Sequence, residues 1–463
     1  MSYTPLANDT IAAISTSYGI AGVGIIRISG PDSKTIADRL FRPSKKTGII
    51  NNRHLHHGYF IDPSSGSVMD EILLSYMKAP HSYTREDVVE INSHSGPVLL
   101  SMLLQIVINQ GVRLAEPGEF TFRAYINGRI DLTQAEAVMD LVNAKSERGL
   151  ILTSRQLKGD LGEKIKDFQH EITNILAMTE AAIDFPEEEA EILPREQIID
   201  ILEKTITSSI DEIISAYSGR KVWMEGIDTV IAGRVNAGKS SILNRFLNEE
   251  KAIVTPVPGT TRDVIETTIY IKGIPLRLMD TAGIREGRGE IERIGIELSK
   301  KKLEEADLVL AVIDQSRPLN DDDKNLLSLI NEKDSIIILN KNDLPSRVKK
   351  SEIKVFAQEI PITSISALTG DEIDTLRNII ADKIIDNDMS AESTIVPNLR
   401  HKKALSKARD YFNDAVTNLK SRAPMEIISV DLKGGLENLE TITGESAGDE
   451  LYDSIFSQFC LGK

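Results

Sequence analysis

The chain holds one cysteine, Cys460, among 463 residues. A single thiol excludes an internal disulfide framework and suits a reducing cytosol or an organelle matrix, so a cytoplasmic protein is expected. No run of 18 or more apolar residues occurs, and the amino terminus lacks a charged-then-apolar signal, so no membrane association is expected. Basic charge is in deficit: 54 Lys and Arg stand against 70 Asp and Glu, a formal net charge of −16. That balance argues against broad non-specific binding to nucleic acid, while leaving room for a local basic patch. The charged and apolar fractions are those of an ordinary globular protein, and the length allows two to four domains with cores of their own.

What is present is concentrated at Gly233-Arg234-Val235-Asn236-Ala237-Gly238-Lys239-Ser240, which matches the phosphate-cradling pattern G-x-x-x-x-G-K-[ST]. Ile227–Ala232 ahead of it reads as a strand, and Ser241 to Leu247 behind it as the start of a helix. A strand, a glycine turn and a helix N-terminus aim backbone N–H groups and the positive end of the helix dipole at an anion. Lys239 would neutralise the outer phosphates and the Ser240 hydroxyl would hold magnesium. Asp280-Thr281-Ala282-Gly283 follows a second strand, where the aspartate can hold the magnesium shell and the glycine N–H can meet the terminal phosphate. Asn340-Lys341-Asn342-Asp343 follows a third strand and resembles the guanine-reading element of GTPases. A carboxylate such as Asp343 accepts both guanine N–H donors, a pair that adenine lacks. Ser366-Ala367-Leu368 resembles the last base-contacting loop. Each stretch alone could be a surface turn after a buried strand, but four in this order point to GTP.

Around that segment the pattern changes twice. The first 127 residues read as an α+β domain with an antiparallel sheet: strands at Gly58–Ile61, Ile72–Met77 and Val88–Asn92, and a helix from Pro97 to Asn109 closed by Gly111. Gly19 to Gly30 reads as two strands joined by a glycine-rich turn. The order G-x-x-G-x-G is wrong for a dinucleotide fingerprint, and no helix is expected to open there. His54, His56 and His57 read as an exposed strand end, since no cysteine or carboxylate completes a metal set. From 128 to 220 the period becomes helical, with Ile165, Phe168, Ile172, Ile175 and Leu176 on one face and Ile199, Leu202, Ile206, Ile210 and Ile213 on another. The acidic stretch Pro186–Glu191 reads as a solvated loop. Leu405, Ala408, Phe412, Ala415 and Leu419 restore the helical stripe after residue 386. The expected fold is therefore a doubly wound P-loop domain (221–385) inserted into an all-α domain (128–220 and 386–463) behind the α+β domain.

Several stretches give the whole chain a family resemblance: Gly22-Val23-Gly24-Ile25-Ile26-Arg27-Ile28-Ser29-Gly30, Pro117-Gly118-Glu119-Phe120, Asn127-Gly128-Arg129-Ile130-Asp131-Leu132, Ala182-Ile183-Asp184-Phe185-Pro186, and the terminal Phe459-Cys460-Leu461-Gly462-Lys463. The chain resembles the MnmE (TrmE) family of tRNA-modification GTPases. That resemblance implies a folate-binding-like, dimerising amino-terminal domain and a homodimer. It also implies a heterotetramer with an FAD-dependent MnmG partner, which modifies C5 of the wobble uridine of certain tRNAs. The one-carbon unit would come from a tetrahydrofolate, either 5-formyl- or 5,10-methylene-tetrahydrofolate, and the product would be the aminomethyl or carboxymethylaminomethyl form. Folate-site positions fall on Arg27, Glu90, Arg129 and Lys463. Glu90 could instead be an edge carboxylate, and Arg129 stands where the family often has lysine. Cys460 falls in the modification site as a candidate catalytic residue, against the alternative of a small buried hydrophobe.

The resemblance also implies how hydrolysis proceeds. Small GTPases often orient the attacking water with a glutamine after D-x-x-G, but Ile284 stands there and cannot bond to water. The family position that acts on water through a second water is Glu292, which could alternatively be a salt-bridged helix residue. Potassium takes the place of an arginine finger, with ligands from Asn236, Thr255, Val257 and Thr260. Thr261 is the second magnesium-binding hydroxyl. With Ala237, Gly238, Ser241 and Gly259, these residues complete the expected GTP-binding set. Two other readings, a regulatory or ribosome-assembly switch and a one-carbon enzyme with an idle GTPase, leave respectively the first domain and the guanine motifs unexplained.

Overall fold

Alternation of apolar and polar side chains in the amino-terminal stretch produces a seven-stranded sheet in the computed structural model, which describes residues 9–44, 50–184, 194–249, 267–279, 303–386, 395–446 and 448–463. Its strands are β1 (Ile11–Ile14), β2 (Gly24–Ser29), β3 (Phe41–Pro43), β4 (Leu55–Ile61), β5 (Val68–Met77), β6 (Val88–Ser93) and β7 (Arg113–Leu114), in the order β3-β4-β5-β6-β2-β1-β7. Neighbours are antiparallel except β1 and β7, which run parallel. Helix Pro97–Ile108 starts on a proline, whose missing N–H costs nothing in the first turn, and it lays Leu100, Leu103 and Val107 against Ile26, Ile28, Leu74 and Ile91.

Two local readings gain detail here. The glycine-rich turn runs from β1 straight into β2, as expected, and a helix not anticipated from the sequence, Ser33–Leu40, follows β2 because Ile36, Ala37 and Leu40 share one face and enter the same core. It still offers no dinucleotide cradle, since β2 has antiparallel neighbours on both sides and no parallel crossover. The histidine tract also has a carboxylate beside it: His57 Nε2 lies 2.6 Å from Glu71 Oε1 across β4 and β5, and Nδ1 meets Ser44 Oγ. Among the described residues no group of three or more metal-ligating side chains forms.

The chain falls into two compact units. The first contains Met1–Met139, Gln156–Thr207 and Lys403–Lys463, joining the seven-stranded sheet to helices from both ends of the sequence. The 25-residue helix Asp160–Asp184 packs along Met425–Thr443, burying Ile165, Phe168, Ile172 and Ile175 on one side and Ile428, Leu432, Leu439 and Ile442 on the other. Asp131 caps the helix Leu132–Asn143, accepting from the Thr133 hydroxyl and the Gln134 amide. In the next helical stretch Ile198, not Ile199, joins Leu202, Ile206 and Ile210 in the core. Four-residue spacing over-rotates an α-helix, and residues Ile201–Thr207 absorb it as a π-helix.

The second unit contains Asp140–Arg155 and Ser208–Lys402. Its sheet comprises β8 (Ile227–Ala232), β9 (Thr267–Ile271), β10 (Ile274–Leu278), β11 (Leu308–Asp314), β12 (Ser335–Asn340) and β13 (Ile362–Ser364), ordered β13-β12-β11-β8-β10-β9. All pairs are parallel except the β9–β10 hairpin. β11 and β12 are buried at every position, as expected for strands covered on both faces. The fold is thus a doubly wound P-loop domain set, in sequence, within a helical domain and preceded by an α+β domain.

Candidate functional site

β8 lies between β10 and β11, where the strand order turns, so its carboxyl end opens on the crevice that doubly wound sheets use for ligands. The phosphate loop leaves β8 there and enters helix Lys239–Glu249. Asn236 is held at φ +64° and Gly238 at φ +101°. A Cβ on Gly238 would stand 2.0 Å from Asn340 Nδ2, so this position tolerates no side chain. Lys239 Nζ donates to Gly233 O at 2.7 Å and Arg234 O at 2.9 Å, and burial pushes its ammonium below the usual lysine range. Ala237 is buried, while Asn236, Ser240 and Ser241 are exposed at the rim.

Asn340, at the end of β12, ties this loop to the base side. Its Nδ2 donates to Ala237 O at 2.9 Å and its Oδ1 accepts from Ala367 N at 3.0 Å. Lys341 sits at φ +69° with Nζ 2.7 Å from Asp314 Oδ2. Burial alone would raise the Asp314 carboxyl, but hydrogen bonds from Lys341 and Ser316 outweigh it and hold the group below the usual aspartate range. The Ser366 hydroxyl donates to Asp343 Oδ1 at 2.6 Å, fixing the carboxylate expected to read guanine. Phosphate loop, N-K-x-D element and the Ser366–Leu368 loop therefore converge within one unit. Asp280, Thr281, Ala282, Gly283, Glu292, Thr255, Val257, Gly259, Thr260 and Thr261 lie outside the described residues.

A second convergence lies in the first unit. Arg27 on β2 stands opposite Glu90 on β6, its Nε 2.9 Å from Glu90 Oε1. β6 runs between β5 and β2, so Glu90 is not at an edge. Arg27 Nη1 also reaches Gly462 O, 3.3 Å away and 435 residues on. Gly462 lies at φ +86° against β1, where a Cβ would meet Ile14 O at 2.3 Å. The Arg27 and Arg129 guanidinium groups lie 5.5 and 4.7 Å from the centroid of the Tyr83 ring, and Arg129 Nη1 donates to Tyr83 O. Lys463, next in sequence to Gly462, is half-buried and its backbone N–H donates to Cys460 O. Cys460 is exposed, against the buried-hydrophobe alternative. Ser15 Oγ, next to Gly462, is buried and meets no hydrogen-bond partner among the described residues.

The family descriptions "GTP-binding protein TrmE N-terminus" and "MnmE helical domain" match residues 10–129 and 132–460. The tRNA modification GTPase MnmE of Thermoanaerobacter pseudethanolicus is 44% identical over 98% of this chain and 99% of its own. The chain belongs to the MnmE family of tRNA modification GTPases. The MnmE proteins of Natranaerobius thermophilus (41% identical, 99% of this chain, 100% of that one) and Carboxydothermus hydrogenoformans (44%, 99% and 100%) match along the same length. Among solved structures, the G domain of the T. maritima FeoB iron transporter aligns at 24% identity, covering 34% of this chain and 99% of that chain. Its TM-score is 0.27, so the topology rests on the strand order above.

Within this MnmE family member, sequence reading missed a network behind the Tyr83 site. Arg123, almost wholly buried, bonds to Asp9, Glu86 and Glu119, and Arg113 bonds to Asp9 and Glu119. Glu119, the charged residue of Pro117-Gly118-Glu119-Phe120, thus shares both arginines with Asp9, just ahead of β1. Burial alone would raise its carboxyl, but the hydrogen bond from Arg113 and the charge of Arg123 hold it below the usual glutamate range. Glu86 extends the network to Ser29 and so to β2. The signal was present as an i, i+4 Glu–Arg pair, but Asp9 and Arg123 are 114 residues apart.

Proposed function

We propose that this chain is a potassium-activated GTPase that acts, with an FAD-dependent MnmG-type partner, on C5 of the wobble uridine of tRNA, using a tetrahydrofolate-borne one-carbon unit. The observation that carries the nucleotide half is the pair of hydrogen bonds made by the Asn340 side chain, one donated to Ala237 O and one accepted from Ala367 N. One side chain spans the phosphate loop and the base loop, as a site built for both ends of one nucleotide requires. Lys239 would exchange its two loop carbonyls for phosphate oxygens, and Asp343, oriented by Ser366, would take the guanine N–H pair. Magnesium on the Ser240 and Thr261 hydroxyls would neutralise phosphate charge, and the exposed position of Ser240 at the helix start suits that role. Potassium on Asn236, Thr255, Val257 and Thr260 would supply the charge that other GTPases draw from an arginine finger, with Glu292 directing the water in place of the absent glutamine. We place this cation site at the closure of two G domains in a homodimer, and the protein in the cytoplasm.

For the folate half, the support is the pair Arg27 and Arg129 over the Tyr83 ring, with Glu90 and the Gly462 carbonyl both bonded to Arg27. Two cations and an aromatic face suit a ring with a carboxylate tail, and the buried Ser15 hydroxyl would gain a partner. The test is GTP turnover by the full chain in potassium, sodium and lithium salts at equal ionic strength. Turnover should be at least about tenfold faster in potassium; equal rates would overturn the cation mechanism. Normally modified wobble uridines in cells lacking the gene would overturn the tRNA role.

A further inference from the structure

Helix Lys239–Glu249 begins in the phosphate loop, and Arg245 lies about 9 Å further along its axis. Its guanidinium turns to the base loop. Nη2 donates to Leu368 O at 2.7 Å and to Ala367 O at 3.3 Å, with Nε 3.4 Å from Ala367 O. We infer that Arg245 is a positioning residue for guanine selection, which acts by aiming the Leu368 N–H at the carbonyl of the base.

A trans peptide points its carbonyl and the following N–H in opposite directions. With Ala367 O turned to Arg245, the Leu368 N–H faces away from it. That amide meets no acceptor among the described residues, whereas the Ala367 N–H is taken by Asn340 and the Thr369 N–H by Ser366 Oγ. Leu368 itself is 80% exposed, so its side chain does little to hold the loop. A planar fork fixes two carbonyls at once; an ammonium at the same place would hold them as a point charge. The same helix therefore sets the loop at one end of the nucleotide and the donor at the other.

This inference rests on placing guanine between Asp343 and the Ser366–Leu368 loop, and the test separates the two ideas. The full chain and its Arg245→Ala and Arg245→Lys variants are titrated with GDP, with IDP, and with 2-aminopurine riboside diphosphate, which lacks the carbonyl and the adjacent N1–H, so that only the change caused by each variant is compared. Arg245→Ala should weaken GDP about tenfold and the 2-aminopurine analogue less than about twofold, while the preference for GDP over IDP, read by Asp343, persists. Arg245→Lys should recover part of the loss, and both variants should melt near wild type without nucleotide. Equal weakening of GDP and the analogue, or no weakening of either, overturns the inference. Wild-type protein with no preference for GDP over IDP overturns the placement of the base itself.

Discussion

Asn340 uses both halves of its amide, one on the Ala237 carbonyl and one on the Ala367 N–H. Truncation to alanine leaves two buried backbone groups unpaired, at about 1–3 kcal/mol each. Asn340→Ala should therefore lower the melting temperature of the nucleotide-free protein and weaken GDP by at least about tenfold. Unchanged GDP affinity in a titration would show that the bridge is incidental. Gly238, Lys239, Asn340 and Asp343 were legible because each motif lies within a few residues of a buried strand, where backbone geometry fixes the side chain. Arg245 was not. Its partners are 122 and 123 residues away, and on its own helix it reads as an ordinary surface cation.

Among elements, the strands, the Pro97 helix and the late helical stripe follow from periodicity, which acts locally. The failures were those where a distant partner decides. The π-helix Ile201–Thr207 exists because the core wants Ile198, Leu202, Ile206 and Ile210 in line, and the short helix at Ser33 because the sheet offers it a face. The Asp9–Glu86–Glu119–Arg113–Arg123 network joins the residues just ahead of β1, the β5–β6 connection, β7 and the helix Glu119–Ile126. Glu119 and Asp9 titrate below their ordinary values of 4.5 and 3.8 when folded. Their contribution is full above those values and is lost as pH falls through the lower folded ones. Thermal melts should thus be flat from neutral pH to about 5 and then decline. Glu119→Gln, which removes one of the three carboxylates around buried Arg123, should cost about 1–3 kcal/mol at pH 7 and flatten the acid decline. A melt of that variant superposing on wild type at every pH would show the network carries no stability.

At the scale of the whole molecule, each compact unit has a core of its own: one centred on Ile26, Phe60, Leu74 and Ile91, the other on Ile242, Phe246, Leu276 and Leu310. Calorimetry should resolve two transitions. GDP at 100 times its dissociation constant should stabilise one by about 2.7 kcal/mol, and a folate analogue should move only the other. A single transition displaced by both ligands would show that the units unfold together. The bond from Arg27 to Gly462 has one more consequence, for biosynthesis. Arg27 leaves the ribosome 435 residues ahead of the carbonyl it meets. The pairing of Arg27 with Glu90 across neighbouring strands can form early in synthesis, whereas the link to Gly462 must wait until the helices between them have been made.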